Sequence, residues 1–385
     1  MAHLVRIGLL GFGTVGQAVA SLVRPFGVTQ FEVTKALVRD LDRPRPMPLP
    51  LTTRPQDILD DPSIDVVVEV IGGREPARTW IAQALSRGKA VVTANKEVMA
   101  YHGPDLLALA QQHNTFLGYE ASVGGGIPVL DALRYHLTTA NVKTVAGVLN
   151  GTSNYLLWAM SRGQEYQEAL REAQRLGYAE SDPRADVEGL DAARKLVLLV
   201  FLAFGRWLDV DRLPVRGIAP WPPELWTRLQ RQDLVLRLVA LARETPDHEI
   251  EAQVSPVLLP TRHPWSQLEG AQNGIFVDTS AGSFWLEGPG AGGLATATSI
   301  WADIRRSLAR PQPEPVRPLH PTIAVPATLP TLAISRDPDR TLSETRYHLL
   351  PTDPSMGYCL RPFEPEDGVE YFPVWDGGFA SASTE

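Results

Sequence analysis

Cysteine is almost missing from this 385-residue chain, where Cys359 stands alone. A single thiol cannot close an internal disulfide or supply a cysteine-rich metal site. Lysine is nearly as scarce. Of 36 cationic residues only Lys35, Lys89, Lys96, Lys143 and Lys195 are lysines, and arginine carries the rest. Acidic residues number 44, leaving a net charge of −8. Affinity for nucleic acid rests on many cationic contacts to phosphate, so a chain this acidic is a poor candidate for such a partner. No apolar run approaches the ~20 residues that cross a bilayer; the best, residues 195–204, ends at Gly205-Arg206. A strand-like run begins at Leu4, which leaves no room for a secretory leader. The expectation is a soluble, cytoplasmic protein without membrane partners, long enough for two or three cores at roughly 100–200 residues each.

Strand and helix signals alternate through the first part of the chain. Residues 4–10, 31–38, 65–71, 90–94 and 115–119 read as strands, and 17–24, 76–87 and 104–113 as helices. The run Asp65-Val66-Val67-Val68-Glu69-Val70-Ile71 hardly alternates, as expected of a strand covered on both faces. The fold class is therefore α/β, a Rossmann-type doubly wound parallel sheet. Beyond Glu120 the pattern becomes α+β, with helices expected at 128–137, 166–176 and 187–204 and strands at 142–149 and near 250–259. A last amphipathic helix is expected at 299–309. Residues 311–330 then read as a proline-rich linker, and 331–385 show too little periodicity for a fold to be assigned.

Gly11-Phe12-Gly13-Thr14-Val15-Gly16 leaves a strand and opens a helix, the context a G-x-G-x-x-G dinucleotide loop requires. Its glycines permit a tight turn and close approach of a pyrophosphate, and the helix start offers free N–H groups. The second strand ends Val38-Arg39-Asp40. An acid there would suit the ribose hydroxyls of NAD and an arginine the 2′-phosphate of NADP; Arg39 comes first, which favours NADP. Thr93-Ala94-Asn95-Lys96-Glu97 sits just past a parallel strand, in the crevice where ligands bind, with a scarce lysine at its centre. Glu120 is followed by Gly124-Gly125-Gly126, where the backbone could approach a ligand, turn its carbonyls to an ion or act as a hinge.

The densest constellation is residues 177–195, with Glu180, Asp182, Asp186, Glu188 and Asp191 immediately before an apolar helix. Acidic first turns commonly complement the helix dipole. That leaves Asp191 and Lys195 unexplained, four apart at the mouth of a buried segment. They read either as an ordinary i, i+4 ion pair or as a lysine tuned for proton transfer.

Taken together, these blocks resemble homoserine dehydrogenase. The resemblance is carried by Gly11 to Gly16, Ala94-Asn95-Lys96, Glu120 to Pro128, Leu149-Asn150-Gly151-Thr152-Ser153-Asn154-Tyr155, Gly177 to Lys195, and Gly288-Pro289-Gly290-Ala291-Gly292. It implies an NAD(P)-dependent oxidoreductase that interconverts L-aspartate 4-semialdehyde and L-homoserine, a step towards threonine and methionine. It further implies catalytic Lys195 and Lys96 with Asp191 as acidic partner, and substrate contacts from Glu180, Asp186, Tyr178, Gly151 and Thr152. Cofactor contacts are expected from Gly11, Phe12, Gly13, Thr14, Val15, Gly16, Arg39, Asn95, Lys96 and Gly292. A monovalent cation, Na+ or K+, is implied at Glu120 with the carbonyls of Val123, Gly125 and Ile127. The implied organisation is a cofactor domain at 1–121 and 293–310, a substrate and dimerisation domain at 122–292 giving a homodimer, and an extension at 311–385. Every motif precedes Ala309, so the extension is expected to be dispensable for catalysis and to confer no strong inhibition by threonine.

Two other readings use the same motifs. A sugar or polyol dehydrogenase of the Gfo/Idh type shares the cofactor half and a lysine, but needs no carboxylates for an ammonium group. A non-catalytic NADP-binding sensor would make the scarce motif lysines dispensable. Aspartate-semialdehyde dehydrogenase needs a nucleophilic cysteine, and Cys359 lies far from every motif.

Overall fold

The computed structural model describes residues 3–221, 223–309 and 324, together with strands at 331–335 and 369–373. Strands β1 (His3–Leu10), β2 (Thr29–Leu37), β3 (Leu51–Thr52), β4 (Val66–Glu69), β5 (Ala90–Thr93) and β6 (Leu117–Gly118) form one parallel sheet in the order β3-β2-β1-β4-β5-β6. All four residues of β4 are buried, because β1 and β5 flank it and helices cover both faces. Helices α1 (Thr14–Ser21), α2 (Gln56–Leu59), α3 (Ala77–Ser86) and α4 (Lys96–Gln112) supply the crossovers. Strand order reverses between β1 and β4, which opens a crevice beyond their carboxyl ends.

The second unit begins with α5 (Val129–Asp131). It is built on an antiparallel sheet of β7 (Val142–Val148), β8 (Leu234–Glu244), β9 (Ile250–Pro260), β10 (Gln272–Thr279) and β11 (Gly282–Pro289), in the order β11-β10-β7-β8-β9. Helices α6 (Gly151–Ser161), α7 (Tyr166–Arg175), α8 (Arg184–Val187), α9 (Leu190–Phe204) and α10 (Pro223–Arg231) complete it. Period-two alternation splits β7 between two cores: Val145 joins the one that contains α9, whereas Ala146 and Val148 join the one around Trp265. The chain then returns to the first unit through α11 (Gly293–Ser307). Trp301 on α11 donates through Nε1 to Val19 O at 3.0 Å and stands edge-on to Phe31.

Several local expectations shift for identifiable reasons. The helix expected at 187–204 is broken by Gly189, whose left-handed φ of 84° separates α8 from α9. The helix expected at 104 starts at Lys96, because the Asn95 side chain caps it by accepting from Val98 N, and Pro104 lies inside it. The segment at 128–137 is a single turn, α5, followed by a wider π turn over Ala132–His136. The last helix begins at Gly293 rather than 299.

Most of 311–330 lies outside the described residues, but Ala324 is buried against the main core. Strands β12 (Thr331–Ser335) and β13 (Val369–Pro373) pair antiparallel. Among the described residues no helix is long and apolar enough to cross a membrane.

Candidate active site

The glycine loop lies at the crevice between β1 and β4. Gly11 adopts φ +112° and abuts Val70 O, and a Cβ on Gly16 would fall 2.3 Å from Gly11 O, so each glycine is required by backbone packing. Gly13 has open space where a Cβ would be, and no side chain caps α1. The first amides of α1 therefore face the crevice with room for an anionic ligand. Gly293 packs on Thr14, and Gly292 is exposed beside it at φ +116°, so the starts of α1 and α11 are neighbours. Phe12 is buried in the sheet core and Val15 packs against it.

Arg39 and Asp40 are both exposed beyond β2. The Asp40 carboxylate accepts from Asp42 N at 2.8 Å, and its carbonyl accepts from Arg45 Nη2 at 2.8 Å. Asp40 is thus engaged in closing its own loop.

At the mouth of α9, Asp191 gathers two lysines. Its Oδ2 pairs with Lys195 Nζ at 2.7 Å and its Oδ1 with Lys96 Nζ at 2.9 Å. Lys195 Nζ also donates to Leu149 O at 2.6 Å, and Asn273 Nδ2 donates to the same carbonyl at 2.9 Å. The lysines differ in setting. The Lys195 side chain is only 9 % exposed and Lys96 is 38 % exposed. Burial pushes the Lys195 ammonium pKa below its ordinary range, against the pull of Asp191. The Asp191 charge pushes that of Lys96 up. Burial disfavours ionised Asp191, but Lys195 and then Lys96 outweigh it and hold the carboxyl well below the usual range.

Asn150 ties this group to a second carboxylate. Its Nδ2 donates to Asp191 Oδ2 at 2.8 Å and to Asp186 Oδ1 at 2.7 Å, while its Oδ1 caps α6 by accepting from Ser153 N. Burial, then the Asp191 charge, raises the Asp186 pKa. Thr152 is buried and donates to Tyr178 O at 2.6 Å. The Tyr178 ring is exposed and lies 5.3 Å from that of Tyr155. Gly151 leaves space for Ala271 O, which a Cβ would meet at 2.9 Å. The structure does not bring the Glu180 carboxylate into this group: Glu180 is exposed, and its backbone carbonyl accepts from Gln174 Nε2.

Asn95 uses its amide internally. Beyond capping α4, it donates to Gly73 O at 2.8 Å and, at 3.5 Å, to Glu69 Oε1. Glu69 is fully buried at the end of β4, accepts from Thr93 Oγ1 at 2.5 Å and from Ile71 N, and has its pKa raised by burial. Asn273 and Glu69 carry no local sequence signal that marks them. Asn150 lies in a recognisable block, yet its bridging role depends on contacts between segments far apart in the chain.

Glu120 occupies a separate pocket. It is buried, its Oε1 accepts from Leu130 N at 3.2 Å, and its Oε2 has no hydrogen-bond partner. Burial and the neighbouring Asp303 push its pKa up to about 8. Gly124 and Gly125 adopt left-handed φ; Gly125 O accepts from Ser299 Oγ at 2.6 Å and Ile127 O from Val129 N at 2.8 Å. Val123 is fully buried. Among the described residues no group of three or more His, Cys, Asp or Glu side chains could hold a metal ion. The orphaned carboxylate oxygen of Glu120 is a hard donor, which in its ionised form fits a monovalent cation.

A doubly wound sheet with a glycine loop at its switch point and a lysine–carboxylate cluster at the start of α4 belongs to an oxidoreductase that uses a nicotinamide cofactor on a CH–OH group. Family models agree in both halves. Residues 11–120 match the homoserine dehydrogenase NAD-binding domain and residues 128–304 match homoserine dehydrogenase. The chain is 40 % identical to the homoserine dehydrogenase of Bacillus subtilis over 312 residues, 78 % of this chain and 72 % of that one. A Synechocystis homoserine dehydrogenase is 40 % identical over 313 residues, covering 78 % and 72 %. The crystal structure of a homoserine dehydrogenase from Thiobacillus denitrificans superposes with a TM-score of 0.80 at 37 % identity, covering 86 % of this chain and 82 % of that one. A hyperthermophilic archaeal homoserine dehydrogenase in complex with NADPH superposes at 0.67 and 28 % identity, covering 80 % and 98 %. The chain belongs to the homoserine dehydrogenase family.

Proposed function

We propose that the chain interconverts L-aspartate 4-semialdehyde and L-homoserine at the Lys96–Asp191–Lys195 group, in the pathway to threonine and methionine. The observation that carries this reading is one buried carboxylate holding two lysines of opposite tuning beside the cofactor crevice. When bound, the reduced nicotinamide supplies hydride to the aldehyde carbon. Lys195, its affinity for a proton weakened by burial, gives that proton to the carbonyl oxygen as negative charge develops. In the reverse direction the neutral amine takes the proton of the homoserine hydroxyl. Lys96, with its charge reinforced by Asp191, stays cationic and steadies the oxygen electrostatically. Asp191 stays ionised throughout and orients both.

Asp186 takes the ammonium end of the amino acid, with Tyr178, Thr152 and Gly151 lining the approach and exposed Glu180 as a second, outer acidic contact. The ammonium charge would offset the repulsion that Asp186 feels from Asp191. Two observations support NADP: exposed Arg39 at the strand tip and the engagement of Asp40 in its own loop. The archaeal relative in complex with NADPH is a third support. Residues 11–16, with Gly292, form the pyrophosphate cradle, and Asn95 and Lys96 flank the cofactor at the end of β5, where Asn95 also holds the loop at Gly73.

Glu120, with the carbonyls of Val123, Gly125 and Ile127, would hold Na+ or K+. A homodimer through the second unit is supported by the edge strand β11, which exposes Phe284 and Trp285. We assign 1–121 and 293–310 to cofactor binding, 122–292 to substrate and dimerisation, 311–385 to an extension outside the chemistry, and the whole to the cytoplasm. A spectrophotometric assay with homoserine and each of NAD and NADP tests the reading. Homoserine-dependent reduction of either cofactor supports it, and none with both would refute it.

A further inference from the structure

Three consecutive residues at the start of α4 reach in different directions. Asn95 donates to Gly73 O in the loop that follows β4. Lys96 crosses to Asp191 on α9. Glu97 does both: its Oε1 lies 3.5 Å from Arg74 Nε in the same loop and 3.3 Å from Arg194 Nη2 on α9. The loop at 71–76 leaves the carboxyl end of β4, at the crevice where an α/β sheet binds its ligand. Arg194 is the residue immediately before Lys195. One carboxylate oxygen therefore joins the edge of the cofactor crevice to the helix that carries Asp191 and Lys195.

The surroundings make this junction stiff. Gly103 on α4 meets the Trp207 ring so closely that a Cβ would fall 2.3 Å from it, and Trp207 Nε1 donates to Ala100 O at 3.1 Å. Tyr101 donates to Asp211 Oδ1 at 2.7 Å, with the Arg74 guanidinium stacked 4.7 Å from its ring centre. With the backbones fixed, the side chains of Arg74, Glu97 and Arg194 are what can adjust. Arg74 is about half exposed, whereas Glu97 and Arg194 are mostly covered, so Arg74 is the member most open to a bound ligand.

We infer that Glu97 is a positioning residue that couples cofactor binding to homoserine binding. A cofactor that engages half-exposed Arg74 at the crevice edge alters its contact with Glu97. Glu97 in turn sets Arg194, and through α9 the Asp191–Lys195 pair. Linkage is reciprocal, so homoserine on the α9 side must tighten the cofactor by the same factor. The inference rests on the placement of the reaction at Lys96, Asp191 and Lys195.

NADPH and homoserine form a complex that cannot react, because both are reduced. Coupling is thus measurable at equilibrium from the fluorescence of NADPH, or of NADH if that is the cofactor bound, titrated with and without saturating homoserine. In the native protein homoserine should tighten the reduced cofactor about five-fold or more, the lower end of couplings carried by shared networks. Glu97→Gln, which keeps the shape and removes the charge, should reduce that factor to below about two while circular dichroism stays native. Arg194→Lys should retain the coupling and Arg194→Met should lose it, a rescue that a purely structural role would not produce. A native coupling factor of one, or an unchanged factor in a folded Glu97→Gln protein, would overturn the inference while leaving homoserine oxidation intact. Absence of homoserine oxidation in the native protein would overturn the site reading and this inference with it.

Discussion

Lys96 and Lys195, from different helices in different structural units, sit on the two oxygens of a single carboxylate, that of Asp191. The pair is asymmetric: one ammonium is buried and weakened as a base, the other partly open and strengthened. Two positive charges this close would repel. Asp191 between them, fixed by Asn150, makes the arrangement stable.

Removing the proton carrier should stop the chemistry and spare the cofactor. Lys195→Met is expected to lower kcat for homoserine oxidation at least about 10²-fold, with the Kd for NADP nearly unchanged. Lys96→Met should lose rate similarly through the electrostatic contribution. Near-normal kcat in the Lys195 variant would remove it from the mechanism.

The pH dependence follows from the direction of the Lys195 shift. In the proposed role oxidation would need its neutral form, so kcat/KM should rise with pH and level off below the ordinary lysine value of 10.5. Reduction needs the ammonium and should fall over the same interval. An oxidation profile still climbing beyond that value would contradict the assignment.

The two acids assigned to the substrate ammonium should now differ. Asp186 is held next to the lysine group, whereas Glu180 is exposed. Asp186→Asn should raise KM for homoserine about tenfold or more, as expected for loss of a charge-assisted contact. Glu180→Gln should have a smaller effect. Steady-state kinetics on both variants decide the order, and equal rises in cofactor KM would point to misfolding instead.

The cation proposed at Glu120 can be tested through the dependence of stability on pH and salt. Its carboxyl titrates near 4.5 when unfolded and about 8 when folded, so the native state binds the proton more tightly. Between those values the unfolded state binds fewer protons, and stability should fall as pH rises. A Na+ or K+ bound there, as proposed, would replace that proton on the ionised carboxylate. Thermal melts should therefore show stabilisation by NaCl or KCl, relative to choline chloride, that is larger at pH 8 than at pH 6. Glu120→Gln should abolish the difference; an equal salt effect at both pH values in the native protein would rule out a cation there.

Cofactor choice is testable at one residue. Arg39→Ala should weaken NADP binding about tenfold or more and leave NAD binding nearly unchanged, since a guanidinium–phosphate pair is a strong charge-assisted contact. Unchanged NADP affinity, measured by equilibrium titration, would show that another cation reads the phosphate.

Much of this protein is legible in its sequence. An unalternating β4, a glycine loop between strand and helix, and regular strand–helix succession determine a doubly wound sheet, because covered strands and phosphate-binding turns impose local patterns. The i, i+4 spacing of Asp191 and Lys195 announced their pairing for the same reason. Tertiary structure alone decided the rest. That Lys96 reaches the same carboxylate, that Asn150 and Asn273 hold Asp191 and the Leu149 carbonyl, and that Glu180 stays outside depend on how α4, α6, α9 and β10 meet. Such contacts join residues far apart in sequence, with no period or spacing to mark them, and burial then tunes the two lysines in opposite directions.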